Sequence, residues 1–263
     1  MQQDLVSIIM PTYNASKFIA GSIDSVLGQT YRNIELVITD DASTDAQTLA
    51  ILKEYSHKDS RVKVYYLNEN KGPGYARNHS IKEAKGRYIA FCDSDDRWMP
   101  YKLEKQIAFM KAKKCALCGS SYIVCDDDDK ETGICIAPYR ISFGMMKRDN
   151  KIGCLTVVYD TQLLGRKFYL PLLRKRQDWG LLLLILKQCK MAYAIKEPLA
   201  LYRNRQNSVS SNKLSLIKYN IAVYQKILGF SRLKAIAYFL FLFIPSYYSK
   251  KVKNRLAYCA YKK

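Results

Sequence analysis

Strand-like and helix-like stretches alternate through the first hundred residues, and nothing else in the sequence restricts the fold as much. Residues 5–10, 34–39, 61–67 and 87–92 are apolar runs rich in β-branched side chains. Residues 15–29, 45–55, 74–84 and 100–111 have helical spacing, with Phe18, Ile19, Ile23, Val26 and Leu27 on one side of the first. Asp45 is placed to cap the second helix, and Pro100 stands where a helix tolerates proline, in its first turn. Strand–helix–strand repetition at this spacing implies an α/β fold with a mostly parallel central sheet covered by helices on both faces. A chain of 263 residues suits one large domain, or two halves sharing one sheet.

Ligands of such sheets bind beyond the carboxyl ends of the strands. Those positions are Pro11-Thr12-Tyr13-Asn14, Asp40-Asp41-Ala42-Ser43, Asn68-Glu69-Asn70 and Asp93-Ser94-Asp95-Asp96. Though distant in sequence, they are expected to line one cleft. The second half is less regular. Residues 116–125 and 133–137 read as two strands around the acidic run 126–129, residues 140–150 as loop and 175–187 as an apolar helix. Residues 191–195 read as a short strand, 203–213 as a polar Ser/Asn-rich loop, and the last fifty residues as one or two basic amphipathic helices. No tandem repeat is visible.

Acidic residues carry the candidate chemistry. Asp93, Asp95 and Asp96 repel one another unless a cation neutralises them. Asp93 and Asp95 can face one cleft and serve a hard divalent cation, or they can cap the start of the next helix. Asp40 and Asp41 close a strand where an acid can bond a base or ribose, or cap a turn. The segment Asn70-Lys71-Gly72-Pro73-Gly74-Tyr75-Ala76-Arg77-Asn78 is a Gly-containing turn entering a helix; Arg77 can address a uracil edge or a phosphate. Asp178 starts an apolar helix, where either the helix dipole favours it or it acts as a general base beside Trp179.

These segments, in this order, resemble glycosyltransferase family 2, the inverting enzymes of GT-A fold. The resemblance rests on VSIIMPTYNASKFIAGSIDSVLGQTYRNIELVITDDASTD, NENKGPGYARN, GRYIAFCDSDDRWMPYKLEKQ, RKRQDWGLLLLILK and PLALYRNRQNSVS, spanning residues 5–211. It is closest in style to bacterial enzymes that build O-antigen, capsule or exopolysaccharide units.

The resemblance implies a Rossmann-like nucleotide-binding half in residues 1–125 and an acceptor-binding half with the catalytic base in 126–213. Pro11 and Tyr13 would hold the nucleobase and ribose, Asp41 the uracil-type edge, and Asn70 and Arg77 the rest of the nucleotide. Asp93 and Ser94 would meet the ribose or sugar. Asp95 would ligate Mn²⁺ or Mg²⁺ at the diphosphate, with Asp96 a candidate to share that role. Asp178 would be the catalytic base, and Arg203 or Arg205 would close over the diphosphate. The family's usual Glu-Asp is Gln177-Asp178 here, which keeps the base and drops the second acid.

Charge completes the expectation. The formal net charge is +20, yet no acidic residue follows Glu197. A basic, aromatic-rich C-terminal extension, residues 214–263, is expected to lie in an anionic membrane interface. The implied partners are a nucleotide-sugar donor, a lipid-diphosphate-linked saccharide acceptor and an anionic membrane surface, with no nucleic acid. No signal peptide is read at the start and the longest apolar run, residues 235–244, is too short to span a bilayer. The expected place is the cytoplasmic face of a bacterial inner membrane. Eight cysteines, including the CxxC of Cys115 and Cys118, are read as free thiols.

Two other readings compete. A nucleotidyltransferase would carry a Gly-rich basic loop after the first strand, where Pro11-Thr12-Tyr13-Asn14 stands instead. A non-catalytic basic protein binding membrane or nucleic acid is suggested by charge alone, without a nucleic-acid motif.

Overall fold

In the computed structural model, which describes residues 4–205 and 213–262, each apolar run of the first hundred residues is a strand. These are β1 (Val6–Thr12), β2 (Ile34–Asp40), β3 (Val62–Tyr66) and β4 (Tyr88–Phe91). They pair in parallel in the order β3-β2-β1-β4. The intervening helices are α1 (Ile19–Leu27), α2 (Ala46–Lys58) and α3 (Pro73–Glu83). Asp45 caps α2 as expected, accepting from the Gln47 amide at 3.1 Å.

β1 and β2 are buried along their whole lengths because helices cover both faces. Alternate side chains of β1 therefore enter different cores. Ile9 packs with Val37, Phe91 and Trp179 on one face; Ile8 and Met10 pack with Ile23, Leu52 and Leu103 on the other.

Beyond β4 the sheet becomes mixed. The remaining strands are β5 (Arg97–Trp98), β6 (Leu117–Cys125), β7 (Glu131–Cys135), β8 (Arg140–Ser142), β9 (Val158–Asp160) and β10 (Met191–Arg203). β9 inserts between β4 and β6, antiparallel to both, while β6 and β10 run parallel. The helices of this half are α4 (Lys102–Lys113), α5 (Phe143–Arg148), α6 (Thr161–Leu164) and α7 (Gln177–Cys189).

Several elements differ from the sequence expectation. Residues 140–150 are not loop: they hold β8 and α5. Strands of two or three residues such as β5, β8 and β9 are too short to show a period. The strand read at 191–195 continues to Arg203, because Pro198 sits at a break in register with β6. A proline inside a strand is accommodated at such a bulge. Most of the expected 203–213 loop lies outside the described residues.

The C-terminal segment forms α8 (Lys213–Lys226), α9 (Arg232–Tyr238), a π-turn (Phe239–Phe243) and α10 (Ile244–Tyr261). It is no free arm. Val223, Tyr224, Ala235, Phe239 and Phe243 are buried in the same core as Trp179. The Trp179 ring lies 5.5 Å from Tyr224 and 5.6 Å from Phe243, centroid to centroid. The opposite face is open: Leu233, Phe241 and Leu256 are 83%, 75% and 65% exposed. Among the described residues, no helix is long and apolar enough to cross a membrane. Cys115 and Cys118 are both buried, which pushes their thiols up to about 11 and about 12 and works against thiolate chemistry.

Candidate active site

The loops after the parallel strands meet through a chain of hydrogen bonds. β1 and β2 end in register, Thr12 opposite Asp40, and the Asp41 amide donates to the Thr12 carbonyl at 2.9 Å. Asn14 adopts a left-handed conformation with φ of 45°. From there its side-chain oxygen accepts the amides of Thr44 and Asp45 at 2.9 and 3.0 Å. Pro11 is buried at the end of β1, and Tyr13 beyond it is half exposed.

The two acids after β2 have separate duties. Asp40 closes its own turn, accepting from the Ser43 amide and hydroxyl. Asp41, 2% exposed, reaches across to the loop before α3. Its two oxygens accept the amides of Lys71 and Gly72 at 2.8 and 2.7 Å. Each oxygen keeps a second lone pair. Gly72 has a φ of 87°, a conformation in which a side chain is strained. Gly74 is needed for a different reason: a Cβ there would overlap the side-chain amide of Gln177. The glycine turn thus lies directly against the start of α7. Asn70 is exposed beside it.

Arg77, one turn into α3, points to the loop after β4. Its Nη2 donates to Asp93 Oδ1 at 2.6 Å. Burial opposes the guanidinium charge, but Asp93 and, farther off, Asp178 keep its pKa raised. Ser94 and Asp95 follow in the same loop, partly buried. Burial, reinforced by the neighbouring Asp93, raises the Asp95 carboxyl. Asp95 Oδ2 is met by Arg205 Nε at 2.7 Å.

Asp96 turns the other way. It is 2% exposed and its Oδ1 accepts the Arg203 amide at 3.0 Å. Burial, with Asp95 and Asp93, holds its carboxyl well above the ordinary range. The expectation that it shares a cation does not fit this inward position. Arg203 is also committed to the scaffold. Its guanidinium donates to the Asp126 and Asp95 carbonyls, pairs with Asp129 and stacks 4.4 Å over Phe18. Arg205 is less buried and pairs with the cleft carboxylate of Asp95.

Asp178 enters from the opposite side. Arg176, with φ of 66°, turns the chain into α7 and leaves Asp178 in the first turn. Trp179 next to it is fully buried and donates to the Met146 carbonyl at 2.7 Å. Asp178 Oδ2 accepts from Asn150 Nδ2 at 2.8 Å. The sequence offered no signal for Asn150, which sits between α5 and β9 in a stretch without periodicity.

The cleft acids suit a hard cation in part. Asp93 and Asp95 present oxygens and carry mutual repulsion that a cation would relieve. Among the described residues, no three His, Cys, Asp or Glu side chains cluster as a ligand set.

Known proteins resemble this chain in sequence and in fold. Residues 7–170 match the family described as glycosyl transferase family 2; the match ends before Asp178. The chain is 40% identical to TuaG of Bacillus subtilis, named as a teichuronic acid biosynthesis glycosyltransferase, over 96% of this chain and 98% of that one. It is 42% identical to WfgD of Escherichia coli, over 83% of this chain and 84% of the relative. WfgD is named a UDP-Glc:α-D-GlcNAc-diphosphoundecaprenol β-1,3-glucosyltransferase. Among solved structures, TarS 1–349 of S. aureus in complex with UDP-GlcNAc superposes with a TM-score of 0.70 at 21% identity, covering 94% of this chain and 73% of that one. The Pyrobaculum calidifontis mannosyltransferase PcManGT, in complex with GDP-Man and Mn²⁺, gives 0.65 at 15%, covering 96% and 74%. Both support the fold.

Proposed function

The chain belongs to glycosyl transferase family 2, and from that premise we propose that it moves a sugar from a UDP-sugar to a hydroxyl of a lipid-diphosphate-linked saccharide, with inversion, in bacterial surface polysaccharide assembly. The observation that carries the reading is the meeting of two sets of groups. Asp93 and Asp95 follow β4, with Arg77 of α3 bound to Asp93, and Asp178 arrives from the other half on α7, whose Gln177 packs against Gly74 of α3. The names of TuaG and WfgD support the pathway, and that of WfgD the donor and acceptor class.

In this reading Pro11, Tyr13, Asn70 and Arg77 shape the nucleotide pocket, and Asp41 offers its remaining lone pairs to the uracil edge. Asp93 and Ser94 face the ribose or sugar. Asp95 would hold Mn²⁺ or Mg²⁺, which when bound offsets the charge of a departing diphosphate. Arg205, rather than Arg203, moves from Asp95 to the diphosphate. An acceptor hydroxyl is a weak nucleophile at neutral pH. Asp178 accepts its proton as the oxygen attacks the anomeric carbon from the face opposite the leaving group, so a single displacement inverts that centre. Fixing donor and acceptor in one cleft supplies much of the remaining rate.

The open face of the C-terminal helices supports the membrane role. Leu233, Leu240, Phe241, Tyr248, Val252 and Leu256 are exposed beside Lys234, Lys251, Lys253 and Arg255. Such a face suits the interface of an anionic bilayer and brings the cleft to a lipid-linked acceptor. The division at residues 125 and 213 is functional in this account, because the three parts share one core.

The test is a panel of UDP-glucose, UDP-N-acetylglucosamine, UDP-galactose and GDP-mannose, offered with a GlcNAc-diphospholipid acceptor, with Mn²⁺ or EDTA. One UDP-sugar should be turned over, only with metal, and Asp95→Ala should lose it. Turnover of GDP-mannose alone, or turnover untouched by EDTA, would contradict the donor or the metal.

A further inference from the structure

Residues 149–152 link the candidate base to the C-terminal helices. Asn150 donates to Asp178 Oδ2, and its own side-chain oxygen accepts the Ile152 amide at 3.1 Å. That second bond decides which way the amide faces: the NH₂ group is the one aimed at Asp178. The backbone of Asn150 is held from the far side, where Lys250 of α10 donates to its carbonyl at 2.6 Å.

The neighbour of Asn150 strengthens the clamp. Asp149 is 1% exposed, yet charged partners surround it. Its carboxylate pairs with Lys151 and, at 2.9 Å, with Lys250; the Ser246 hydroxyl of α10 donates to it at 2.9 Å. Lys151 in turn donates to Ser246. A buried carboxylate cannot leave such partners without stranding charge, which makes the contact all-or-none. Tyr224 of α8 adds bonds to the carbonyls of Lys147 and Arg148 just upstream.

We propose that Asn150 is a positioning residue for Asp178, and that α10 holds Asn150 in place through Lys250 and Asp149. The proposal rests on the reading of Asp178 as the base. One carboxylate oxygen is occupied by the amide, so the rotamer is fixed and the other oxygen is left to take the acceptor proton. An uncharged donor suits that task, since a cation in its place would lower the basicity of the oxygen it orients. The consequence is a mechanical link: the helix carrying the exposed apolar face also fixes the geometry of the base.

The experiment uses the full-length protein and the UDP-sugar identified by the panel above, on GlcNAc-diphospholipid. It measures kcat, donor KM and UDP affinity by calorimetry for Asn150→Ala, Asn150→Asp, Lys250→Met, Lys250→Arg and Asp178→Asn. Asn150→Ala should lower kcat about 10–100-fold, the scale of a small misplacement, with UDP affinity within about twofold. Asn150→Asp should lose as much at pH 7 and recover part of it at pH 9. Two carboxylates in contact share a proton, and the base is freed only when both ionise. That recovery is what a folding defect would not produce. Lys250→Met should show a smaller loss in kcat, restored by Lys250→Arg.

Wild-type kcat in Asn150→Ala, or no recovery at high pH in Asn150→Asp, overturns the positioning role. Wild-type kcat in Lys250→Met overturns the part played by α10. If Asp178→Asn is inactive while Asn150→Ala is normal, this inference alone fails. If Asp178→Asn is fully active, the base assignment fails and takes the inference with it.

Discussion

The β3-β2-β1-β4 half and the β6–β10 half deliver their share of the cleft by different means. In the first, parallel register brings the strand ends level, and short local bonds then stitch the loops together, as Asp41 does with Lys71 and Gly72. In the second, Asp178 is placed by packing over long sequence distances: Trp179 on Met146, Asn150 on Asp178, and both backed by the C-terminal helices. The first half is a scaffold that repeats a motif, and the second is an assembly of single contacts. Damage to the first should therefore appear as lost nucleotide binding and damage to the second as lost turnover.

The largest effect should come from Asp95→Ala, with turnover falling on the order of 10³-fold and Mn²⁺ no longer stabilising the protein with UDP in a thermal melt. A metal response retained in the variant would move the cation elsewhere. Asp41→Ala should follow. It strands two backbone amides in a buried place, at about 1–3 kcal/mol each, so a drop in melting temperature should accompany a weaker UDP affinity. Unchanged UDP affinity would separate Asp41 from the nucleotide pocket and leave it a loop fastener.

Lys102 sharpens the comparison differently. It is fully buried at the start of α4, where the chain passes from one half to the other, 3.9 Å over the Trp98 ring, and burial brings its pKa down to about 7. Between that value and the ordinary lysine value, the unfolded chain binds the proton that the native protein lacks. Native stability should therefore rise with pH across that window. Lys102→Met should stabilise the protein by about 4–5 kcal/mol at pH 6 and by less than about 1 kcal/mol at pH 10. A gain equal at both pH values would mean that packing, not charge, is responsible. The smallest effect should be Phe241→Ser, which loses part of the binding to anionic liposomes and leaves turnover of a detergent-dispersed acceptor within about twofold. Full liposome binding in that variant would weaken the membrane account.

How far the sequence revealed all this follows the same division. The four parallel strands, the Asp45 cap and the converging loops were readable because period, turn residues and strand ends are local signals. Asp93, Asp95 and Asp178 were singled out through motif order. Three things were hidden. β8, β9 and α5 are too short to show a period. Asp96 and Arg203 occupy motif positions, but their burial and inward bonds are set by β10 lying beside the acid loop. Asn150 and Asp149 become meaningful only once α10 folds back a hundred residues later. The C-terminal segment was read by composition as a surface helix, and its other face proved to be core.

The most direct test of the central claim, that the two halves form one transfer site with separate duties, is Asp178→Asn measured two ways. UDP affinity by calorimetry should stay within about twofold of wild type, while sugar transfer to the lipid-linked acceptor falls by at least about 10²-fold, the usual worth of a general base. Transfer at the wild-type rate, or UDP affinity lost together with transfer, would contradict it.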